Sequence, residues 1–144
     1  MPGFAVEQAN AILAENFAPW VLASGVAAEA VGADAATLRI PFSEQLCRIG
    51  GILCGQALLT GADTAMVIAL AAASGGFKPC TTVDLTINYL RPLGSGTIKA
   101  TARVLREGGR VVVTSADVFD PVGNLASTAL STYLRFIPGL SSRP

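Results

Sequence analysis

The sequence predicts an α+β fold in which an antiparallel sheet of five to six strands wraps round one long central helix. Three observations carry that expectation. The stretch Gly50–Gly75 has no alternation, is rich in Ala, Leu and Met, and is apolar nearly all round. It is long enough for about five helical turns, and a helix with no polar face must be buried on most sides. Four runs with period-two patterning follow it, separated by turn residues, and such runs pair as antiparallel strands. A single twisted sheet curls readily, so one sheet can enclose one helix.

Taken in order, Ala5–Asn16 places Val6, Ala9, Ile12 and Leu13 at helical spacing, with Glu7, Gln8 and Glu15 elsewhere. This is a short amphipathic helix, and Pro19 is expected to end it. Ser24–Val31 and Ala35–Phe42 are two short strands joined by Gly32-Ala33-Asp34, the second alternating through Thr37, Leu38, Arg39 and Ile40. The long helix follows, bracketed by Gly50-Gly51 and Gly55 before and by Gly75-Gly76 after. Thr82–Tyr89 then puts Thr82, Asp84, Thr86 and Asn88 on one face and Val83, Leu85, Ile87 and Tyr89 on the other. Thr97–Arg106 alternates Ile98, Ala100, Ala102 and Val104 against Thr97, Lys99, Thr101 and Arg103. Glu107-Gly108-Gly109-Arg110 is a hairpin turn into Val111–Asp120, and Asp120–Asn124 turns again into Leu125–Phe136. The tail Pro138–Pro144 is expected to fray.

The chain's 144 residues fit one domain spanning 1–144 with a sizeable core. At 51% hydrophobic and 14% charged residues, it cannot be a disordered segment. Ten basic side chains balance ten acidic ones, which speaks against a nucleic-acid or polybasic membrane-surface partner. The chain has no histidine, so every His-based nucleophile pair, general base and imidazole metal site is absent. Cys47, Cys54 and Cys80 lack C-x-x-C spacing, which argues against a disulfide framework or a bound metal and suits a reducing cytoplasm. No basic-then-apolar leader is read at the N-terminus. Ile52–Ala73 is apolar enough to raise a membrane span, but Asp63, Gln56, two Thr and two Gly favour a helix buried in a globular fold.

Asp63 is the one charged side chain between Gly50 and Gly75. A carboxylate there is costly unless it is paired, hydrogen-bonded or facing a cavity. Two readings stand: a structural Asp bonded to Thr60, to Thr64 or to a cross-sheet arginine, and a functional carboxylate at a substrate cleft. Cys54 as a nucleophile has helix-start placement but no His partner. Gly108-Gly109 lacks the strand–loop–helix context of a phosphate-cradling loop.

The run Gly51-Ile52-Leu53-Cys54-Gly55-Gln56, then Ala62-Asp63-Thr64-Ala65-Met66, then Thr82–Pro92 (TVDLTINYLRP) resembles the phenylacetate-degradation-type (PaaI-like) acyl-CoA thioesterases of the hotdog superfamily. The similarity extends from about Ser43 to Phe136. It implies the hotdog fold, a homodimer or a homotetramer built as a dimer of dimers, and hydrolysis of an acyl-CoA thioester without metal or redox cofactor. By the same resemblance, Asp63 is the base or nucleophile, the Gly55 N–H polarises the thioester carbonyl, and Thr82 orients the water or the carboxylate. The family's His-Gly-Gly stands here as Cys54-Gly55-Gln56, and its polar residue a few positions earlier falls at or near Arg48. Arg91 at a strand end and Arg106 and Arg110 at a hairpin match places where the family holds CoA phosphates. Basic side chains at loop tips suit phosphates. Arg48, Cys54, Gln56, Asp84 and Asn88 complete the candidate substrate contacts. Arg48 has two readings, as a partner of Asp63 or as a ligand contact.

Eight residues separate Gly55 from Asp63, about 12 Å along one helix. Both cannot come within about 3 Å of one carbonyl carbon, so the site implied by the resemblance needs Gly55 from one subunit and Asp63 from another. A hotdog protein that binds acyl-CoA without turnover is the alternative. A hotdog hydratase is disfavoured, because that chemistry usually relies on an Asp/His pair.

Overall fold

The computed structural model describes residues 3–136, so the tail expected to fray lies outside the described residues. Helix α1 spans Val6–Asn16 and buries Ala9, Ile12 and Leu13, the stripe its spacing predicts. Ala5 offers no side-chain acceptor at its start, but Gln8 Oε1 accepts the Ala5 N–H at 2.8 Å. Pro19 does not simply end α1. It opens a second short helix, α2 (Pro19–Leu22), where a missing N–H costs nothing in the first turn.

Strands β1 (Ala27–Val31) and β2 (Ala35–Ile40) pair antiparallel, with a bulge between Ala28 and Ala30. Asn10 of α1 clamps that bulge: its Oδ1 accepts the Ala28 N–H at 2.9 Å and its Nδ2 donates to Ala28 O at 3.4 Å. A single turn of tighter helix (Glu44–Leu46) leads into a two-stranded ribbon of β3 (Cys47–Arg48) and β4 (Ile52–Leu53). Gly50 and Gly51 sit at φ 103° and 76° in the turn of that ribbon, a region other residues rarely occupy. These glycines therefore belong to a hairpin and not to the helix start expected from sequence.

The long helix, α3, runs Gly55–Ser74 and ends at Gly75 in the left-handed region. It is long and apolar enough to cross a membrane, yet two thirds of its apolar stretch is buried inside this fold. Strands β5 (Cys80–Tyr89), β6 (Ile98–Glu107), β7 (Val111–Phe119) and β8 (Leu125–Arg135) complete one six-stranded sheet in the order β1-β2-β6-β7-β8-β5. All its pairings are antiparallel. The core lies between its inner face and α3, filled by Leu38, Ile98, Val112, Val118 and Tyr133 from the strands and Ala62, Met66 and Ile68 from the helix. The small alanines on α3 let the sheet close tightly round it. This is the hotdog fold.

Strand β5 departs from the expected facing. Thr82 lies opposite Tyr133 and Asp84 opposite Thr132, so Val83 is an extra residue in a bulge. Cross-strand partners share a face, and Tyr133 is buried against the helix. Thr82 therefore points inward with Leu85, Ile87 and Tyr89, and is separated from Asp84, Thr86 and Asn88, which face outward. A bulge re-aims the side chains around it.

Candidate active site

Asp63 sits midway along α3, half-buried, at one end of a cleft of about 180 Å³ lined by Asn16, Phe17, Val67, Phe77, Cys80, Thr82 and Tyr133. The helix supplies the carboxylate, the end of α1 and the loop after α3 supply the aromatic walls, and the bulge in β5 turns Thr82 inward. The partner of Asp63 is none of those the sequence suggests. Thr60 Oγ1 donates instead to Gln56 O at 2.7 Å, and Arg48 Nη1 donates to Ile49 O at 3.3 Å. The contact is made by Tyr133 on β8, whose Oη donates to Asp63 Oδ1 at 2.5 Å. Burial, then the Asp63 charge, push the Tyr133 phenol far above its ordinary range, so it remains a donor. Burial and the same carboxylate also raise the Cys80 thiol, against an opposing pull from Arg135.

Neither Tyr133 nor Cys80 was singled out by sequence reasoning. The available signal was periodicity: Ser127, Ala129, Ser131 and Tyr133 alternate onto the inner face of β8. A hydroxyl-bearing aromatic carried into a core needs a polar partner, and Asp63 is the charged one in α3.

Gly55 lies at the start of the helix. As the first residue of α3 its N–H has no intrahelical acceptor. It borders a second cleft, of about 390 Å³, together with Arg48, Leu58, Tyr89 and Arg91. Tyr89 Oη donates to Gly55 O at 2.9 Å, and a Cβ at Gly55 would come within 3.1 Å of the Tyr89 ring. Glycine here lets the β5 tyrosine close over the helix start.

The remaining candidates are spread over distinct places. Cys54 and Gln56 line a narrower groove of about 120 Å³ with the largely exposed Trp20, Gln45 and Thr60. Asp84 and Asn88 face outward from β5 and border neither of the first two clefts. Arg106 and Arg110 are exposed beside the β6–β7 turn, at the end of the sheet that holds Asp63. Within one protomer the fold thus brings together Asp63 with Thr82, and Gly55 with Arg48 and Arg91. It keeps the two groups in separate clefts. Among the described residues, no cluster of three His, Cys, Asp or Glu side chains is placed to hold a metal ion.

Residues 50–127, just over half of the chain, match the family model of the thioesterase superfamily. A candidate esterase from Saccharolobus solfataricus is 36% identical over 97 residues. That match covers 67% of this chain and 64% of the relative, so the chain spans somewhat less than two thirds of the relative's length. A thioesterase structure from Haemophilus influenzae superposes with a TM-score of 0.85 at 21% identity, covering 99% of this chain and 97% of that one. The PaaI protein of the phenylacetic acid degradation operon of E. coli gives 0.79 at 21% identity, covering 92% and 96%. At that identity the two structures speak to the fold.

Proposed function

The chain belongs to the thioesterase superfamily, and from that premise we propose that it hydrolyses an acyl-CoA thioester to the free acid and CoA, as PaaI-like enzymes do. The observation that carries the reading is Asp63: a carboxylate in an otherwise apolar helix, open to a cleft it shares with the Thr82 hydroxyl. Asp63 acts on the thioester carbonyl carbon either through a water whose proton it takes, or directly as nucleophile. The developing oxyanion accepts the N–H of Gly55 of the partner subunit. Collapse of the tetrahedral species breaks the carbon–sulfur bond and releases the CoA thiolate. On the water route Asp63 hands it the proton taken from water, and the acid is free. On the nucleophile route the acyl group stays on Asp63 as a mixed anhydride that water then hydrolyses, supplying the thiolate's proton. Thr82 orients the water or the carboxylate from across the cleft.

The arrangement of β5 supports a two-subunit site. This ten-residue strand is an edge of the sheet, and it presents Val83, with Leu90 just past its end, each more than half exposed. Long apolar edges are normally covered. Antiparallel pairing with a second copy along β5 would set the Cys80 and Thr82 end of one chain beside the Tyr89 end of the other. The Asp63 cleft of one subunit would then meet the Gly55 cleft of its partner. The assembly is a homodimer or a dimer of dimers. Arg48 and Arg91 beside Gly55, with Arg106 and Arg110 at the Asp63 end, supply charge for CoA phosphates. The half-buried free thiols suit a reducing compartment such as the cytoplasm.

Binding without turnover is the competing reading, favoured by Cys54 standing where the family carries His. A panel of aliphatic and aromatic acyl-CoAs, followed by release of free thiol, separates the two. Turnover of any member at an ordinary enzymatic rate supports the thioesterase. Saturable binding with no thiol released refutes it.

A further inference from the structure

We infer that Tyr133 is the positioning residue of the site, holding Asp63 by one carboxylate oxygen so that the other alone faces the reacting carbonyl. This deepens the reading of Asp63 as the acting carboxylate and rests on it.

The geometry is restrictive. Tyr133 is 1% exposed, and its ring is set by its place on the inner face of β8, opposite Thr82 on one side and Val112 on the other. From that fixed seat its Oη reaches Asp63 Oδ1 at 2.5 Å and lies 3.4 Å from the Asp63 main-chain oxygen. An O–H to carboxylate bond of this length belongs to the charge-assisted class, which is shorter and stronger than a neutral bond. A mid-helix Asp otherwise chooses between rotamers directed back along its own helix. One donor on a rigid ring selects between them.

The bond also makes an ionised Asp63 tolerable in its half-buried place. The ion pairs among the described residues lie elsewhere, between Lys99 and Glu29 and between Arg135 and Glu107. No cation among the described residues is paired with Asp63, and a neutral donor performs that task. It does so without neutralising the charge the reaction needs. A paired arginine would stabilise the carboxylate more strongly and make it a weaker base or nucleophile. The titratable groups facing Asp63 are Tyr133 from β8 and Cys80 from β5, with Arg135 of β8 acting on Cys80. The other elements lining the cleft contribute Asn16, Phe17, Val67 and Phe77, none of which ionises, and Thr82.

The test is Tyr133→Phe, assayed by steady-state hydrolysis of the best acyl-CoA. Loss of a hydrogen bond to a charged group predicts a fall in kcat of roughly 10–100-fold with KM within about twofold. In an Asp63→Asn background the same change should slow the enzyme no further. An active wild type whose Tyr133→Phe variant keeps its kcat overturns this inference alone, as do effects that multiply. A wild type that turns over no acyl-CoA overturns the reading of Asp63 and this inference with it. Should Tyr133→Phe not fold, 3-fluorotyrosine incorporated in a Tyr89→Phe background labels Tyr133 alone, since the chain has two tyrosines. The more acidic phenol alters the strength of the bond to Asp63, so kcat should change with KM within about twofold, and an unchanged kcat again overturns the inference.

Discussion

Replacing Asp63 by Asn removes a charge and a proton acceptor while nearly preserving shape. Its two consequences can be worked from the structure. A group acting as general base or nucleophile contributes about 10²–10⁴ in rate, and kcat should fall by that much. Stability should hardly move. The amide oxygen of the substituted side chain can still accept from Tyr133 Oη, so the loss is the difference between a charged and a neutral hydrogen bond, about 1 kcal/mol. Relief of the half-buried charge offsets part of it. No arginine among the described residues is left stranded, because Arg48 bonds to the Ile49 carbonyl and Arg135 is paired with Glu107. The penalty of about 3–5 kcal/mol for an orphaned buried cation therefore does not apply. For a chain of this size the thermal midpoint should shift by no more than about 5 °C. Thiol release and thermal unfolding measured on one preparation check both numbers, with a blank for the protein's own three cysteines. Wild-type turnover in Asp63→Asn would refute the assignment. So would a loss of turnover that came with collapse of the midpoint, since Asp63 would then be structural.

Three further outcomes follow from the same geometry. Gly55→Pro removes the N–H at the first position of α3, where proline is well tolerated, and Cys54 before it is already extended; turnover should fall by about 10²–10³ while far-ultraviolet circular dichroism keeps its helix signal, the Tyr89 ring yielding a few tenths of an ångström. Both tyrosines are raised above the usual 10, Tyr133 by burial and then Asp63, and Tyr89 by burial and then Cys54. Below pH 10 their contribution to stability is full; above it the unfolded chain releases phenolic protons that the folded chain keeps, so denaturant midpoints should fall as pH rises through the folded values. A phenolate titration of the native protein should accordingly run later than that of the unfolded chain. Burial and Asp63 raise Cys80, so its alkylation at neutral pH should be slow; Asp63→Asn should speed it, as read by mass spectrometry of the Cys80 peptide.

Strand and helix identity was legible where hydrophobic period was long and uninterrupted: α1, α3 and the four strands after it fall within a residue or two of expectation, save that β5 begins earlier, at Cys80, and α3 later, at Gly55. What was not legible is short or irregular. Proline read as a terminator was the opening residue of α2, because the same fixed φ suits both places. Gly50-Gly51 read as a helix bracket but turn a two-residue ribbon, too short for any period to register. The bulge at Val83 changes which residues of β5 face the helix, and local alternation contains no trace of it. Asp63 stood out because a lone carboxylate in an apolar helix needs an explanation. Its partner did not, because Tyr133 lies 70 residues away and only the closure of the sheet joins them.

The central claim is a thioesterase site shared between two subunits, and mixing inactive variants tests it most directly. Asp63→Asn chains carry an intact Gly55, and Gly55→Pro chains carry an intact Asp63. If each site draws on both subunits, co-assembled mixtures contain hybrid dimers with one whole site and one doubly damaged site. Random pairing makes about half the dimers hybrid, so acyl-CoA hydrolysis should recover to roughly a quarter of the wild-type rate. Mixtures no more active than either parent alone would contradict the shared site.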